Sequence, residues 1–259
     1  MHTVIPSVKE LRKICQTAES AKHDSILGRY FGRKLSIYLT HVLLHTPISA
    51  NQVTILMLLV GMVSGTLFII GNYWCSLAGS ILFPIMYILD GVDGEVARYR
   101  NSCSLKGVYL DRVSHIITYP FLFIGITFGV YINNHDIRVF IFGFLATYFF
   151  TSLLLVDLEK SKISGNSKPF HEPDGVASIL VLQKRDRQFS FKKINRYLLI
   201  IFRLLFLPGF QTVDLMMILF LIGSLFNNLY LILIIFGTLI PLRWIAQITF
   251  DLKHNFHSE

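Results

Sequence analysis

Long apolar runs without a charged residue restrict this chain more than any other feature. Segment 53–71 contains no charged side chain, and about 20 apolar residues at 1.5 Å rise each allow a helix to cross a bilayer. Charged residues make up only 15% of the 259 residues, whereas hydrophobic residues make up 53%. This composition is unusual for a soluble domain, so the sequence predicts an all-α integral membrane protein.

Six apolar segments are predicted to be transmembrane helices. The first contains Gly61 and Gly65, a spacing of small residues that favours close packing between membrane helices. The second contains Pro84, which predicts a kink. The six predicted spans are 53–71, 73–89, 113–132, 139–156, 211–226 and 229–250.

The polar segments divide the chain into three predicted parts. Residues 1–50 form a cytoplasmic and interfacial arm, residues 51–250 the six-helix transmembrane domain, and residues 251–259 a cytoplasmic tail. Within the domain, 157–195 is predicted to be a polar cytoplasmic loop. Residues 191–207, at the end of that loop, are predicted to form an interfacial helix.

The N-terminal arm contains a segment with amphipathic character. Segment 25–45 has apolar residues at roughly helical spacing beside Arg29, Arg33 and Lys34. This pattern predicts an amphipathic helix that lies on the membrane surface. An ordinary helix packed on the transmembrane domain is the alternative.

The positions of the basic residues predict the orientation. With six spans, 23 of the 24 lysines and arginines fall on one side of the membrane, in segments 1–52, 90–112, 157–212 and the end from Arg243, and only Arg138 falls on the other. Basic loops stay cytoplasmic, so both termini are predicted to be cytoplasmic in a multi-pass cell membrane protein. Topology and contact with anionic lipids therefore explain the net charge of +8, and no nucleic-acid partner is needed.

One stretch, 89–115, concentrates charged residues between apolar segments. If the second span continues as a helix, Asp90 and Asp93 share one of its faces, and Asp111 and His115 share a face of the next helix. Carboxylates at a membrane edge are costly and usually functional, and their oxygens suit Mg²⁺ or Mn²⁺. A solvated connector is the alternative, but the combined spacing favours a metal site facing the cytoplasm.

Small and basic residues in the same stretch predict a phosphate site. Gly94 and Ala97 leave room for a nucleotide or diphosphate to approach the backbone. Four side chains can donate to phosphate oxygens: Arg98, Arg100, Lys106 and Arg112. A metal and basic groups around a diphosphate are the arrangement used for phosphoryl-type transfer.

The stretch resembles the signature of the CDP-alcohol phosphotransferase (CDP-alcohol phosphatidyltransferase) family, D-x2-D-G-x2-A-R-x8-G-x3-D-x3-D. The matching positions are Asp90, Asp93, Gly94, Ala97, Arg98, Gly107 and Asp111, and His115 replaces the fourth aspartate. The segment TPISANQVT before the first span also resembles the family's T-P-N-x-x-T sequence, with Asn51 and Thr54 in place.

The resemblance implies a six-helix membrane enzyme, usually a homodimer, with a polar cavity open to the cytoplasm. Such enzymes displace CMP from a CDP-linked alcohol by the hydroxyl of a second alcohol. Carried over by position, the metal ligands are Asp90, Asp93 and Asp111, and the base that activates the acceptor is His115. The residues implied in donor binding are Gly94, Ala97, Arg98 and Gly107, with Asn51, Thr54, Lys106 and Arg112 as secondary candidates.

Several alternatives remain open. A family member without the fourth carboxylate could bind nucleotide or lipid without turnover, and a transporter is a weaker third reading because no paired broken helices are visible. The donor could carry a phosphatidyl group or a polar phospho-alcohol. The segment from His171 to Asp174 is either a turn or a second metal site, and Arg203 and Arg243 either contact an acceptor phosphate or snorkel to the interface.

Overall fold

Helices are the only regular elements in the part of the chain that the computed structural model describes, residues 5–17, 25, 27–163 and 212–254. This confirms the all-α prediction. The helices are α1 (Val8–Cys15), α2 (Arg33–Leu44), α3 (Ala50–Ile70), α4 (Tyr73–Tyr99), α5 (Leu105–Asn134), α6 (Val139–Ile163), α7 (Thr212–Leu225) and α8 (Leu229–His254). One wide helical turn, Gly28–Gly32, precedes α2.

Five of the described helices are long and apolar enough to cross a membrane, namely α3, α4, α5, α6 and α8. The structure therefore supports a multi-pass membrane protein. Helix α7 has 14 residues, which corresponds to about 21 Å against the ~30 Å of a typical hydrocarbon core. The sixth span consequently remains a prediction.

Several helices extend beyond the ends predicted for the spans. Helix α4 continues from the predicted end at Leu89 to Tyr99, and α5 begins at Leu105 instead of Val113. Helix α6 runs to Ile163, so the first residues of the predicted loop are helical. The physical reason is that hydropathy marks where a helix leaves apolar surroundings, whereas Lys, Arg and Glu continue a helix well.

Other sequence predictions for this region lie outside the described residues. These are the remainder of the polar loop, 164–195, and the interfacial helix 191–207.

Close contact between α3 and α5 confirms the prediction made from Gly61 and Gly65. A Cβ atom at Gly61 would collide with Thr118, and one at Gly65 would collide with Phe121. From the other side, a Cβ at Gly125 would collide with the Gly65 carbonyl. The missing side chains let the two backbones touch, and this contact sets the position of α5, which carries the second half of the polar motif.

Aromatic side chains fill the centre of the helix bundle. The Phe123 ring lies 5.5–5.7 Å from the rings of Phe150, Phe220 and Phe236, and such edge-to-face and tilted contacts are favourable arrangements of aromatic rings. These residues come from α5, α6, α7 and α8, so this one cluster joins four helices. Buried residues of α4 and α5 belong to the same core, which packs the two helices together next to their polar ends.

The N-terminal arm packs one face of α2 on α4 and exposes apolar groups on the other. Ser36 and Thr40 are buried, whereas Tyr30, Leu35 and Tyr38 are exposed. The predicted helix in segment 25–45 is thus α-helical from Arg33 onward. Contact of its exposed face with the membrane surface stays a prediction.

Candidate metal and substrate site

A tight reversal of the chain brings the ends of α4 and α5 together. The left-handed residue Asn101 (φ 52°) ends α4, and the Ser102 N–H donates to the Ala97 carbonyl at 2.9 Å, as in a Schellman turn. The Ser104 hydroxyl then accepts a hydrogen bond from the Gly107 N–H at 3.1 Å and caps α5. The break between α4 and α5 therefore lies between the two halves of the motif.

Asp90, Asp111 and His115 form a cluster at this junction of α4 and α5. His115 Nε2 lies 3.0 Å from Asp90 Oδ1 and 3.1 Å from Asp111 Oδ1. The imidazole is 5% exposed and stacks on the Tyr119 ring at 5.2 Å, whereas the two aspartates are 29% and 21% exposed. The cluster is therefore accessible from its carboxylate side and closed behind the imidazole.

The chemistry of this cluster fits a divalent cation. One ligand atom from each of the three residues lies within 4.8 Å of the others, and carboxylate oxygens are preferred by Mg²⁺ and Mn²⁺. An imidazole nitrogen suits Mn²⁺ better than Mg²⁺. The structure thus brings Asp90 and Asp111 together as predicted, but the third member of the group is His115 and not Asp93.

The Asp93 side chain is directed to α3. Its Oδ2 accepts a hydrogen bond from the Thr54 hydroxyl at 2.6 Å, and both side chains are buried. Asp93 lies nearly one helical turn after Asp90, so it stays beside the cluster while its carboxylate is held by Thr54. Thr54, predicted as a secondary donor-binding residue, is therefore placed against a motif aspartate.

The two motif glycines lie under polar side chains. A Cβ at Gly94 would lie 3.2 Å from Arg98 Nη1, and a Cβ at Gly107 would lie 3.2 Å from Asn51 Oδ1. Arg98 Nε also donates to the Cys15 carbonyl at 2.7 Å. The space left by the glycines is thus bordered by an arginine and an asparagine that were predicted to take part in donor binding.

The other predicted phosphate donors have different surroundings. Arg100 donates from its two Nη atoms to the carbonyls of Ile48 and Thr46, at 2.5 and 2.7 Å, so its guanidinium holds the connection between α2 and α3. Lys106 is exposed in the first turn of α5, and Arg112 is half-buried next to Asp111. Lys106 and Arg112 therefore remain better placed than Arg100 to meet an incoming phosphate.

The sequence interpretation missed Glu95, which lies inside the motif and is only 2% exposed. Its carboxylate accepts hydrogen bonds from Gln16 Nε2 at 2.7 Å, Ser36 Oγ at 2.6 Å and Thr40 Oγ1 at 2.6 Å. All three donors belong to the N-terminal arm. A signal was available: a buried carboxylate needs donors, and Ser36 and Thr40, four residues apart, share one face of a helix.

A second buried carboxylate, Asp214 near the start of α7, was also missed. Its Oδ1 accepts a hydrogen bond from the Ser25 hydroxyl at 2.8 Å, and Ser25 Oγ lies 3.1 Å from the Tyr87 hydroxyl oxygen. These contacts connect the N-terminal arm, α4 and α7. No short sequence spacing connects these three residues, so this group was not predictable from local pattern.

Other sequence candidates are only partly placed. Arg243 Nη1 donates to Thr212 Oγ1 at 2.5 Å, which joins α8 to the start of α7. Arg203 and the segment from His171 to Asp174 lie outside the described residues.

Comparison with known proteins gives a family match that includes the cluster, and several similar proteins. A family model described as CDP-alcohol phosphatidyltransferase matches residues 47–235. A "Bifunctional IPC transferase and DIPP synthase" of Archaeoglobus fulgidus is 29% identical over 133 residues, which are 51% of this chain and 26% of that protein. The corresponding protein of Thermococcus kodakarensis is 31% identical over 102 residues, 39% of this chain and 22% of that protein.

A eukaryotic relative is similar over a longer segment. "Cholinephosphotransferase 1" of Mus musculus is 26% identical over 154 residues, which are 56% of this chain and 38% of that protein. The chain therefore spans well under half the length of each of these relatives.

Proposed function

This chain belongs to the CDP-alcohol phosphatidyltransferase family, and from that premise we propose that it is an active membrane transferase. In the proposed reaction, the hydroxyl of an acceptor alcohol attacks the phosphorus that carries the donor alcohol in a CDP-linked donor. A new phosphorus–oxygen bond forms, the bond to CMP breaks, and the acceptor's proton passes to a base. The cluster of Asp90, Asp111 and His115, inside the matched segment, carries the proposal.

Asp90, Asp111 and His115 would hold a divalent cation, Mg²⁺ or Mn²⁺, and Asp93 would complete the site from α4. The cation would supply charge neutralisation on the donor diphosphate and on the departing CMP. The donor set of two carboxylates and one imidazole, with ligand atoms within 4.8 Å of one another, supports this assignment. Because one donor is nitrogen, we expect Mn²⁺ to bind more tightly than Mg²⁺.

The donor nucleotide is proposed to bind beside Gly94, Ala97 and Gly107. The absence of larger side chains there leaves room near the backbone. Arg98 borders that space through its position over Gly94, and a guanidinium is a strong donor to phosphate oxygens. Four residues are secondary candidates. Asn51 lies beside Gly107, and Thr54 donates a hydrogen bond to Asp93. Lys106 and Arg112 are cations on α5.

His115 has two candidate roles in this reaction. As the residue at the motif's last position it is proposed to be the general base, since an imidazole accepts a proton readily near neutral pH. The distances of 3.0 and 3.1 Å from Nε2 to two carboxylates also support a role as a metal ligand.

The His115→Ala variant separates these roles. A base contributes about 10²–10⁴ in rate, so turnover would fall by that factor while Mn²⁺ and donor binding survive. A ligand role would weaken Mn²⁺ binding together with turnover.

A screen of the purified protein with CDP-linked alcohols tests the reaction itself. We propose CDP-choline as a polar donor, since one relative is named a cholinephosphotransferase, and CDP-diacylglycerol as a phosphatidyl donor. Each would be incubated with several alcohol acceptors and with Mg²⁺ or Mn²⁺, and CMP release would be measured. The expected result is acceptor-dependent release with one donor class, which Asp90→Asn abolishes.

A second candidate function follows from the histidine at position 115. The alternative is a family member that binds nucleotide or lipid without turnover, because the motif lacks its fourth carboxylate. Such a protein would bind CDP-alcohols but release no CMP with any acceptor, and His115→Asp would gain turnover. Turnover by the wild type would exclude this function.

The arrangement in the membrane is part of the proposal. Six spans between 51 and 250, an N-terminal arm 1–50 on the inner surface and a cytoplasmic tail 251–259 would direct the cluster to the cytoplasm. The basic residues, 23 of 24 on one side of such an arrangement, support it. We further propose that the protein is a homodimer in contact with membrane lipids, as the family resemblance implies.

A further inference from the structure

The end of α4 presents two different faces. At about 100° per residue, Asp90, Asp93 and Ala97 fall on one side of the helix, where the contacts with Thr54 and His115 lie. Gly91 and Glu95 fall on the adjacent side, where the N-terminal arm packs. The same helical segment therefore carries the motif aspartates and the surface that receives the arm.

The contact between the arm and α4 is close and polar. Ser36 and Thr40 donate to Glu95 at 2.6 Å each, and a Cβ at Gly91 would lie 3.4 Å from Ser36 Cβ. Gln16 Nε2 reaches the same carboxylate and, at 2.7 Å, also the Arg33 carbonyl. Glu95 thus receives three donors from the arm, and Ser36 packs at van der Waals distance over Gly91.

Two arginines near the end of α4 also bind the N-terminal arm. Arg98 Nε donates to the Cys15 carbonyl at 2.7 Å, at the end of α1, and the Arg100 guanidinium binds the carbonyls of Thr46 and Ile48. Burial, with a further contribution from the Glu95 carboxylate, raises the pKa of the Cys15 thiol to about 11. The N-terminal arm therefore contacts α4 and the residue after it at Glu95, Arg98 and Arg100.

We propose that Glu95 is a positioning residue: by holding the N-terminal arm against α4, it fixes the rotation and height of Asp90 and Asp93 relative to α5. A buried carboxylate that loses its donors must find others or reach water. Because the helix backbone is stiff, a movement of α4 that satisfies Glu95 would also displace Asp90 from Asp111 and His115. The inference rests on the proposed metal-dependent function of that cluster.

The test removes the arm's two hydroxyl donors and leaves Gln16, the cluster and Glu95 intact. In the double variant Ser36→Ala with Thr40→Val, both hydroxyl donors are lost, whereas the conservative variant Thr40→Ser keeps both. The matched control is Ser64→Ala, which removes a buried hydroxyl that donates to the Gly79 carbonyl at 2.7 Å between α3 and α4. Mn²⁺ binding to each purified protein is measured by electron paramagnetic resonance, together with melting temperature and CMP release.

Loss of supporting contacts around a metal site weakens metal binding by roughly 10–100-fold. Since Glu95 acts through the placement of a helix, we expect the lower value, about a 10-fold weaker Mn²⁺ affinity in the double variant. The Mn²⁺ concentration for half-maximal CMP release should rise in parallel. Thr40→Ser should retain most of the affinity, and Ser64→Ala should lower the melting temperature without changing Mn²⁺ binding.

A double variant that melts lower but binds Mn²⁺ like the wild type would overturn the positioning role. The same conclusion would follow if Ser64→Ala weakened Mn²⁺ binding equally, since loss of any buried hydroxyl would then have this effect. A wild-type protein that binds Mn²⁺ but releases no CMP would overturn the proposed reaction, and the comparison of Mn²⁺ affinities would still decide the role of Glu95. A wild type that binds no Mn²⁺ would overturn both.

Discussion

The hydrogen bond between Thr54 and Asp93 leads to a prediction with a defined magnitude. The O–O distance is 2.6 Å and both side chains are buried, so loss of the donor would leave a buried acceptor unsatisfied. A buried acceptor left without its donor costs about 1–3 kcal/mol of stability. In Thr54→Val the shape is kept but the donor is lost, so we expect the free energy of unfolding to fall by about 2 kcal/mol.

Thr66→Val is the matched control on the same helix. The Thr66 hydroxyl is exposed and donates only to the Met62 carbonyl one turn earlier, at 2.9 Å. Surface substitutions of this kind usually change stability by no more than about 0.5 kcal/mol. The two valine variants therefore differ in what the hydroxyl contacts and not in the chemistry of the change.

A double-mutant cycle measures the bond itself. Thr54→Val, Asp93→Asn and the combined variant would be unfolded by denaturant in detergent micelles, with circular dichroism as the signal. We expect a coupling energy of about 1–2 kcal/mol, because Asp93→Asn changes the group that accepts the Thr54 hydrogen bond. A coupling below about 0.5 kcal/mol, or equal destabilisation by Thr54→Val and Thr66→Val, would refute the inference that Thr54 holds the Asp93 carboxylate.

Three further predictions concern the metal site, the topology and the effect of pH. At limiting Mn²⁺, Asp93→Asn should release CMP more slowly than the wild type, and an unchanged rate would remove Asp93 from the metal site. In a variant that keeps Cys103 as its only cysteine, an impermeant maleimide added to intact cells should not label the protein. In a variant whose only cysteine comes from Asn134→Cys, the same reagent should label it. Equal labelling of the two variants would contradict the six-span arrangement. Hydrogen bonds from Arg138 hold the pKa of Asp136 below its ordinary value, so this carboxylate stabilises the fold above about pH 4 and its contribution is lost as pH falls through the folded-state pKa. The melting temperature of Asp136→Asn should therefore lie below that of the wild type at neutral pH and approach it in acid, and a difference independent of pH would contradict this reasoning.

Residues on one helix were predictable because their contacts depend only on spacing. Asp111 and His115 are four residues apart, and α5 brings them to 3.1 Å as the helical period requires. The glycine pair in the first span predicted a close helix contact for the same reason. The break between the two halves of the motif also followed from local residues, since Asn101 and Ser104 end one helix and begin the next.

Contacts between helices were less predictable, because they depend on how each helix is rotated against its neighbours. The aspartates of α4 were expected to act together, yet Asp90 contacts His115 on α5 while Asp93 contacts Thr54 on α3. The two residues lie about 60° apart around the helix axis, which is enough for them to contact different partners. Spacing alone could not distinguish these directions.

The sequence by itself determined the family, the helical class, the apolar segments and the position of the polar motif, because composition, periodicity and a long motif are properties of the chain alone. Only the tertiary structure decided that His115 lies between two carboxylates and that Glu95 receives the N-terminal arm. The donors to Glu95, which are Gln16, Ser36 and Thr40, are between 55 and 79 residues away along the chain. Their meeting depends on the packing of α1 and α2 on α4, and the spacing of Ser36 and Thr40 alone does not encode that packing.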